Sequence, residues 1–358
     1  MKILLDAHMF DKKETGNERY WKNLTLALKK YYPKIKVFLY GNKVLAKNED
    51  FLKMFDGVFI PPFDNGLYRV IFGFNQAVKK FNPDLIHAQN FISFQKNIPN
   101  IITVHDLCFK NHPDLFGLKT NLAFKYFFKR SLDLSNAVIC VSNETKKQLL
   151  KFYDVNPKKV FVIYEAADKT FKYIENKEQV TSKVKKKFGI FHKYFLVVGN
   201  VEKRKLPYHI INAFEKVLKK FPNTELIFVG PNKLGIKRTL NIKTLGYVTD
   251  EDLNLLYNGA ISLIYLSLCE GFGLPIIEAM ATKTPVICNN LSVFKEITAR
   301  CALIIKNNKE LTNAMITLIK NDDIRKKYSL LGYKRSKSFS WQKTARETMK
   351  LYNWILNK

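Results

Sequence analysis

Short apolar runs alternate with longer segments of helical periodicity along the whole chain. In the first half, the runs rich in β-branched residues lie at Ile3–Ala7, Ile35–Tyr40, Val58–Pro61, Leu85–Ala88, Ile101–His105, Ala137–Val141 and Val160–Tyr164. Segments with helical spacing, such as Asn17–Lys30 and Asn143–Phe152, separate them. Apolar strands without regular polar alternation, separated by helices, are typical of a parallel sheet covered on both faces. The pattern therefore predicts an α/β domain of the Rossmann type.

A second alternating set begins at Tyr194 and predicts a second α/β domain. Its apolar runs are Phe195–Val198, Glu225–Val229, Ile261–Leu266, Val286–Cys288 and Ala302–Ile305, and Asn308–Lys320 and Asp322–Arg335 are predicted to be covering helices. Residues 169–193 are rich in charge and poor in apolar runs. We expect this stretch to connect two domains, residues 1–170 and residues 171–340.

Composition narrows the range of partners. A chain of 358 residues with 47% hydrophobic residues can bury two ordinary cores. The formal charge is +29, from 60 basic and 31 acidic residues, and the excess is spread over both halves. Because the sequence has no helix-turn-helix, RNA-recognition or zinc-finger pattern, we expect no nucleic-acid partner. The charge favours attraction to anionic lipid or to phosphorylated substrates instead.

The sequence also favours a cytoplasmic location without a metal site. The first apolar run is short and meets an acid at Asp6, and no segment is long enough to span a bilayer. We therefore expect neither a signal peptide nor a transmembrane helix. The five cysteines lack metal-ligand spacing, and no Asp-x-Asp pair or His/Asp cluster suggests a divalent cation site.

The most informative stretch is Glu270–Cys288, where Glu270 and Glu278 flank a glycine-bracketed turn. Gly271 and Gly273 allow the backbone to approach a ligand, and a proline follows at a position that suits the first turn of a helix. Unpaired amides at a helix start bind a diphosphate well. The two carboxylates would then accept hydrogen bonds from sugar hydroxyls, which predicts a nucleotide-sugar site. The alternative is that both are ordinary helix-start and surface charges.

This stretch resembles the signature of two glutamates separated by seven residues in family 4 retaining glycosyltransferases. Further matches follow in the expected order at Thr15–Tyr20, Ile102–Leu107, Leu196–Phe214, Leu245–Asp250, Pro285–Asn289 and Phe339–Trp341. The resemblance covers nearly the whole chain and makes an accidental match improbable. It implies the GT-B fold, with two facing Rossmann-like domains and a C-terminal helix, about 341–358, that returns to the first domain.

The resemblance also implies roles for individual residues. Arg204 and Lys205, in the loop after a strand, would neutralise the leaving diphosphate, and His105 would approach the donor sugar from the first domain. Glu270 would lie near the transferred sugar, and Glu278 would bind the ribose hydroxyls. Further donor contacts, mainly through the main chain, are expected from Gly16, Asn17, Gly199, Tyr247, Val248, Phe272, Gly273 and Leu274. Asp106 would orient the imidazole or cap the following turn.

Two features leave alternatives open at the clamp. Some relatives place an additional arginine after the strand glycine, where this chain has Asn200, so the phosphate clamp rests on the Arg204–Lys205 pair. The alternative to a clamp is a solvated basic loop, since Lys203 belongs to the same basic run.

The expected reaction is metal-independent transfer of a hexose from a GDP-sugar or a UDP-sugar, with similarity leaning towards mannose. The family retains anomeric configuration without an evident nucleophile, which favours a front-face mechanism, although a covalent step by Glu270 stays open. Two other functions are compatible with the fold, a sugar-nucleotide epimerase or phosphorylase and a non-catalytic basic scaffold.

The acceptor is expected to be a glycan or a lipid-linked sugar in the synthesis of cell-surface polysaccharide or glycolipid. Loops of the first domain, Phe63–Lys80 and Pro113–Arg130, would shape its site. The aromatic and basic segment Phe124–Phe128 fits either a buried helix with a solvated face or a surface that contacts lipid. The second interpretation predicts a peripheral protein on the inner face of the plasma membrane.

Overall fold

The computed structural model describes residues 1–10, 15–93 and 97–357. They fall into two compact units, Met1–Glu165 with Ser340–Lys358, and Ala166–Phe339. Each unit contains one parallel sheet with helices packed against it. The predicted α/β class, with two Rossmann-like domains, is confirmed.

The first unit contains a seven-stranded sheet in the order β3-β2-β1-β4-β5-β6-β7. Every neighbouring pair in this sheet is parallel. The strands are β1 (Lys2–Asp6), β2 (Lys36–Tyr40), β3 (Gly57–Phe59), β4 (Leu85–Gln89), β5 (Asn100–Val104), β6 (Ala137–Cys140) and β7 (Val160–Val162). Each predicted apolar run of this half forms a strand, with ends that differ by at most two residues.

The helices of the first unit lie between these strands and after the second unit. They are α1 (Thr15–Tyr31), α2 (Glu49–Leu52), α3 (Gly66–Tyr68), α4 (Phe74–Phe81), α5 (Cys108–Asn111), α6 (Leu118–Ala123), α7 (Lys129–Leu134) and α8 (Asn143–Phe152), with α16 (Trp341–Leu356) at the end of the chain. π-helical turns at Arg69–Gly73 and Phe124–Phe128 lead into α4 and α7.

Alternate residues of β1 enter the cores on the two faces of this sheet. Ile3 and Leu5 are buried with Trp21 of α1 and Tyr352 of α16. Leu4 is buried with Phe74 of α4 on the opposite face. A strand that is buried on both faces shows no polar alternation, which is why its sequence is a continuous apolar run. The contacts of α16 confirm the predicted return of the C-terminal helix.

The second unit contains a six-stranded sheet in the order β10-β9-β8-β11-β12-β13, all parallel. Its strands are β8 (Lys193–Val198), β9 (Thr224–Val229), β10 (Ile242–Thr244), β11 (Ser262–Tyr265), β12 (Val286–Asn289) and β13 (Leu303–Ile305). Its helices are α9 (Lys177–Phe188), α10 (Pro207–Leu218), α11 (Asp250–Gly259), α12 (Leu274–Ala281), α13 (Ser292–Thr298), α14 (Asn308–Lys320) and α15 (Asp322–Ser336).

Two features of this unit differ from the sequence-based expectation. Strand β10 was not predicted, because three residues that include a lysine and a threonine carry no recognisable strand pattern. The stretch predicted to be a connection, residues 169–193, contains helix α9. Only Val180 and Val184, one helical turn apart, are buried in α9, and its remaining surface is largely charged. So narrow an apolar stripe is easily mistaken for a linker.

Within the described ranges of the chain, no helix has both the length and the apolar character that a bilayer crossing requires.

Candidate functional site

In the second sheet the strand order reverses between the neighbouring strands β8 and β11. From β8 the chain adds β9 and β10 on one side, and β11 then begins the other half of the sheet. Loops that leave the carboxyl ends of such neighbouring strands diverge and form the usual ligand site of open α/β sheets. Arg204 and Lys205 lie in the loop after β8, and Glu270 lies in the loop after β11.

Both cations bind the same carboxylate oxygen. Lys205 Nζ lies 2.5 Å and Arg204 Nη1 lies 2.6 Å from Glu270 Oε1. Arg204 Nη1 also donates to the carbonyl oxygen of Cys269 at 2.8 Å. Lys205 Nζ donates to the Tyr265 hydroxyl at 2.5 Å and lies 4.0 Å from the centre of that ring. The fold thus brings together residues that are 65 positions apart in the sequence.

A second carboxylate lies on the outer side of this cluster. Glu202 Oε1 lies 3.1 Å from Arg204 Nη2, and Glu202 Oε2 lies 3.3 Å from Lys233 Nζ. The Lys233 side chain is exposed, so its pairing with Glu202 is a surface contact. Arg204 therefore bridges two carboxylates, whereas Lys205 has Glu270 as its carboxylate partner.

The electrostatics of this cluster depend on burial. Lys205 is 8% exposed, so it is not the exposed loop cation that its sequence suggested. Burial lowers the pKa of Lys205 to about 8, despite the adjacent Glu270. Burial alone would raise the pKa of Glu270, but Lys205 and Arg204 together hold it at about 2. At Glu270 the attraction of two cations is stronger than the effect of burial, so the pKa of the carboxylate falls. At Lys205 the effect of burial is stronger than the attraction of Glu270, which Arg204 shares, so the pKa of the amine falls as well.

Backbone geometry fixes this loop. Leu206, directly after Lys205, has a φ of 53°, a left-handed conformation that is uncommon for a branched residue. Gly199 has a φ of +119°, and a Cβ atom there would lie 3.6 Å from Lys205 Cε. A Cβ atom on Gly230, at the end of β9, would lie 2.3 Å from the carbonyl oxygen of Gly199. Glycine is therefore required at the ends of β8 and β9 to form the wall beside Lys205.

Helix α12 carries the second glutamate of the motif. Its N-cap, Gly273, has a φ of +101°, and Pro275 lies in the first turn, as the sequence predicted. Glu278 is 1% exposed and accepts a hydrogen bond from the Tyr257 hydroxyl at 2.9 Å. The side chain of Phe272 is buried and packs against Phe339. Any ligand contact by Phe272 would therefore have to come from its main chain.

Tyr247 and Val248 line a cavity of about 450 Å³ at the carboxyl end of β10. Tyr247 is exposed, and Phe188 and Arg238 contribute to the same cavity. Tyr247 and Val248 were both predicted to contact the donor, and the cavity lies in the unit that contains Arg204 and Lys205.

His105 follows β5 in the first unit and is paired with a residue that the sequence analysis missed. Its Nδ1 atom lies 3.3 Å from Oε1 of Glu165, which follows β7. Both residues are buried, and the imidazole contacts the ring of Tyr20 edge-on at 4.9 Å. Asp106 does not orient the imidazole; its Oδ1 caps the next turn by accepting the Cys108 N–H at 2.9 Å. An acid directly after a predicted strand was the signal that could have identified Glu165.

A second charged cluster lies at the carboxyl end of β1. Asp6 accepts from His8 Nδ1 at 2.7 Å, from the Arg69 guanidinium and from the Gln89 N–H at 3.2 Å. Burial of Asp6 would raise its pKa, but Arg69 and His8 hold it at about 2. These residues lie where β1 and β4 meet, which is where the first sheet changes direction.

Gly16 and Asn17 lie in the first turn of α1 and not in the preceding loop, because the helix begins at Thr15. Gly16 is exposed there, and a Cβ atom added to it would meet no described neighbour within 4 Å. Among the residues that the structure describes, no group of three or more His, Cys, Asp or Glu side chains could hold a metal ion.

Two family models match the chain. The model of glycosyltransferase family 4 matches residues 15–171, and the model of glycosyl transferases group 1 matches residues 180–335. Together they span most of the chain, which belongs to the family 4 glycosyltransferases.

The chain is similar to two bacterial enzymes. It is 30% identical to the O-antigen chain mannosyltransferase RfbU of Salmonella typhimurium over 58% of its length and 57% of that protein. It is 24% identical to O-antigen chain mannosyltransferase B of Escherichia coli over 78% of its length and 76% of that protein. Anabaena HepE, solved with UDP and glucose, shares the fold with a TM-score of 0.76 at 19% identity, over 99% of each chain.

Proposed function

We propose that this glycosyltransferase transfers a hexose from a nucleotide sugar to a glycan or lipid-linked acceptor, with retention of anomeric configuration. The observation that carries the proposal is the convergence of Arg204 and Lys205 on Glu270 at the strand-order change of the second sheet. A leaving diphosphate needs two cations that are already oriented, and the fold supplies them where α/β sheets bind ligands. We assign donor binding to the second unit and acceptor binding to the first.

In this proposal the donor diphosphate takes over the two cations that Glu270 holds in the structure. The three cations Arg204, Lys205 and Lys233 face two carboxylates, Glu202 and Glu270, so the cluster carries one net positive charge and favours an anionic ligand. Glu270, released from the cations, would accept hydrogen bonds from hydroxyls of the transferred sugar. Because the clamp itself neutralises the diphosphate, we expect transfer to proceed in the presence of EDTA.

Retention is best explained by a front-face mechanism. Glu270 is paired with both cations of the clamp, and its pKa of about 2 reflects the strength of that pairing. With the donor bound, the proposal assigns Glu270 to the hydroxyls of the transferred sugar and not to a bond with the anomeric carbon. We therefore propose that the leaving phosphate accepts the proton of the acceptor hydroxyl.

The donor is proposed to be GDP-mannose, with a UDP-sugar as the second candidate. The names of the two mannosyltransferase relatives favour mannose, and the UDP and glucose bound to Anabaena HepE favour uridine. Glu278 would bind the ribose hydroxyls, and the main chain of Tyr247 and Val248 would contact the base in the cavity that these two residues line.

For the acceptor we propose a lipid-linked sugar at the cytoplasmic face of the plasma membrane. Phe124 and Phe128 pack in the core of the first unit, so they are not the lipid-contacting aromatic residues that the sequence allowed. The apolar residues that are exposed in the segment from residue 118 to residue 128 are instead Leu118, Leu122 and Tyr126, which recur every four positions. With the charge of +29, they would support peripheral binding to an anionic surface.

The proposal is tested by thermal shift with GDP-, UDP- and ADP-sugars and the corresponding nucleoside monophosphates. A donor at about 100 times its Kd should stabilise the fold by about 2.7 kcal/mol, and a monophosphate, which lacks the second phosphate, should stabilise it less. Release of nucleoside diphosphate should then require an added acceptor. The proposal fails if no sugar nucleotide stabilises the protein, or if release with the stabilising donor is independent of every acceptor glycan.

A further inference from the structure

The contact between Glu165 and His105 determines which ring nitrogen of His105 carries the proton in the neutral imidazole. His105 Nδ1 lies 3.3 Å from Glu165 Oε1, and the two side chains come from the ends of β7 and β5. A carboxylate only accepts hydrogen bonds, so the nitrogen that contacts it must carry the proton. In a neutral imidazole, the other nitrogen, Nε2, then presents a lone pair.

The surroundings of this pair hold it in place. The ring of Tyr20 contacts the imidazole, and the Tyr20 hydroxyl is fixed by Thr103 Oγ1 at 3.1 Å. The carbonyl oxygen of Tyr164, the residue before Glu165, accepts a hydrogen bond from Thr344 Oγ1 of α16 at 2.7 Å. The carboxylate therefore approaches the imidazole from a backbone position that the C-terminal helix anchors.

The second nitrogen is buried and has no partner. Among the residues that the structure describes, His105 Nε2 makes no hydrogen bond, although His105 is only 8% exposed. A buried polar atom without a partner calls for an explanation, and a ligand that completes its hydrogen bonding is one. A lone pair requires a donor, and a sugar hydroxyl is a donor that fits.

We propose that Glu165 is a positioning residue that holds His105 in the Nδ1–H tautomer, so that Nε2 accepts a hydrogen bond from a hydroxyl of the transferred hexose. The identity of the hydroxyl-bearing ligand rests on the proposed function, whereas the tautomer does not. The site would discriminate against a donor sugar in which this hydroxyl is replaced by hydrogen, because Nε2 would then stay unpaired in the complex.

The tautomer can be measured directly in the full-length protein. Long-range ¹H–¹⁵N correlation spectra at alkaline pH, where imidazoles are neutral, distinguish Nδ1–H from Nε2–H for each of the six histidines. The spectrum of His105→Ala assigns the signal. The wild type should show the Nδ1–H form, and Glu165→Ala should lose it. Glu165→Gln should retain it, since the amide oxygen still accepts, and Glu49→Ala, which removes an exposed carboxylate of the same unit, should leave it unchanged.

Kinetics supply the second measurement. Glu165→Ala should lower kcat about 10–100-fold, in the range that outer partners of functional histidines contribute, with a smaller effect in Glu165→Gln. The double variant with His105→Ala should be no slower than His105→Ala alone, because Glu165 acts through the imidazole.

Different results overturn different statements. An Nε2–H signal in the wild type, or an unchanged Nδ1–H signal in Glu165→Ala, would overturn the positioning role. If Glu165→Ala does not fold, the wild-type and Glu165→Gln spectra still decide the tautomer. The expected tautomers together with a failure to release nucleoside diphosphate would support the positioning role and refute the proposed function.

Discussion

Replacing Lys205 with methionine should reduce transfer strongly while changing the stability of the fold little. Methionine retains the unbranched apolar stem but removes the charge that lies beside Arg204 and Glu270. The expectation follows from burial, because Lys205 is 8% exposed and charged at neutral pH.

The effect on stability follows from the pKa of Lys205. A decrease from 10.5 to about 8 means that the folded state disfavours the charged amine by about 3 kcal/mol, at about 1.4 kcal/mol per pKa unit. Methionine removes this cost but also the hydrogen bonds to Tyr265 and Glu270, worth about 1 kcal/mol each. Glu270 keeps Arg204 as its partner at 2.6 Å. Methionine also removes the larger of the two cationic interactions that hold the pKa of Glu270 at about 2, which offsets the gain, so the free energy of unfolding at pH 7 should stay within about 2 kcal/mol of the wild type.

The effect on activity follows from the assigned role. Loss of one charged donor that stabilises a leaving group costs about 2.7–4 kcal/mol, which corresponds to about 10²–10³ in kcat. Nucleoside diphosphate release at saturating donor measures kcat, and urea unfolding measures stability. Lys203→Met is the matched control, because it removes the same charge from an exposed position two residues away and should change neither quantity.

Two results would refute this reasoning. Wild-type turnover in Lys205→Met would show that the cation does not act on the leaving group. A loss of more than about 2 kcal/mol of stability would show that the ion pair is a structural support of the fold.

Three further predictions concern pH, the two glutamates and membranes. Because Lys205 is charged only below its pKa of about 8, affinity for free GDP or UDP should fall about tenfold per pH unit above pH 8, while the free energy of unfolding should rise between about pH 8 and 10.5. Lys205→Arg should bind the nucleotide equally on both sides of pH 8. A fall in affinity in that variant would show that Lys205 does not cause the pH dependence. Glu278→Gln should weaken nucleotide binding by about 1.5–3 kcal/mol, whereas Glu270→Gln should lower turnover more than affinity; equal nucleotide affinity of Glu278→Gln and the wild type would contradict the ribose assignment. The protein should float with acidic liposomes at low salt and be released at high salt, with Tyr126→Ser retaining less binding at high salt than the wild type; absence from acidic liposomes at low salt would indicate a soluble acceptor.

Sequence patterns predicted the two sheets well because most of their strands are buried on both faces. In a strand such as β1, Leu4 packs in one core and Leu5 in the other, so no polar position interrupts the apolar run between them. Pattern analysis failed where the apolar signal was weakest. Helix α9 buries two valines among many lysines, and β10 contains one buried residue, Ile242. Their assignment depends on neighbours that lie far away in the sequence.

The candidate site was predictable only in part, for a similar reason. The motif identified Glu270 and Glu278, and the strand-loop context identified Lys205. Their partners, Tyr265 and Tyr257, have no signal of their own, because each matters only through the fold that places its hydroxyl against a charged group. Glu165 was missed because its significance comes from β5 and β7 ending at the same edge of one sheet.

Burial, and not the basic composition, distinguishes Lys205 from Lys203 in the same loop. Lys203 and Lys205 are two residues apart in a protein with 60 lysines and arginines, and no compositional argument separates them. The fold leaves Lys203 exposed and places Lys205 under a tyrosine ring at a cost of about 3 kcal/mol to the charged amine. Folding alone gains nothing from that cost, since an uncharged side chain would fill the same space. In the proposed function, a diphosphate at the edge of this sheet supplies the further negative charge that accounts for a buried cation at this position.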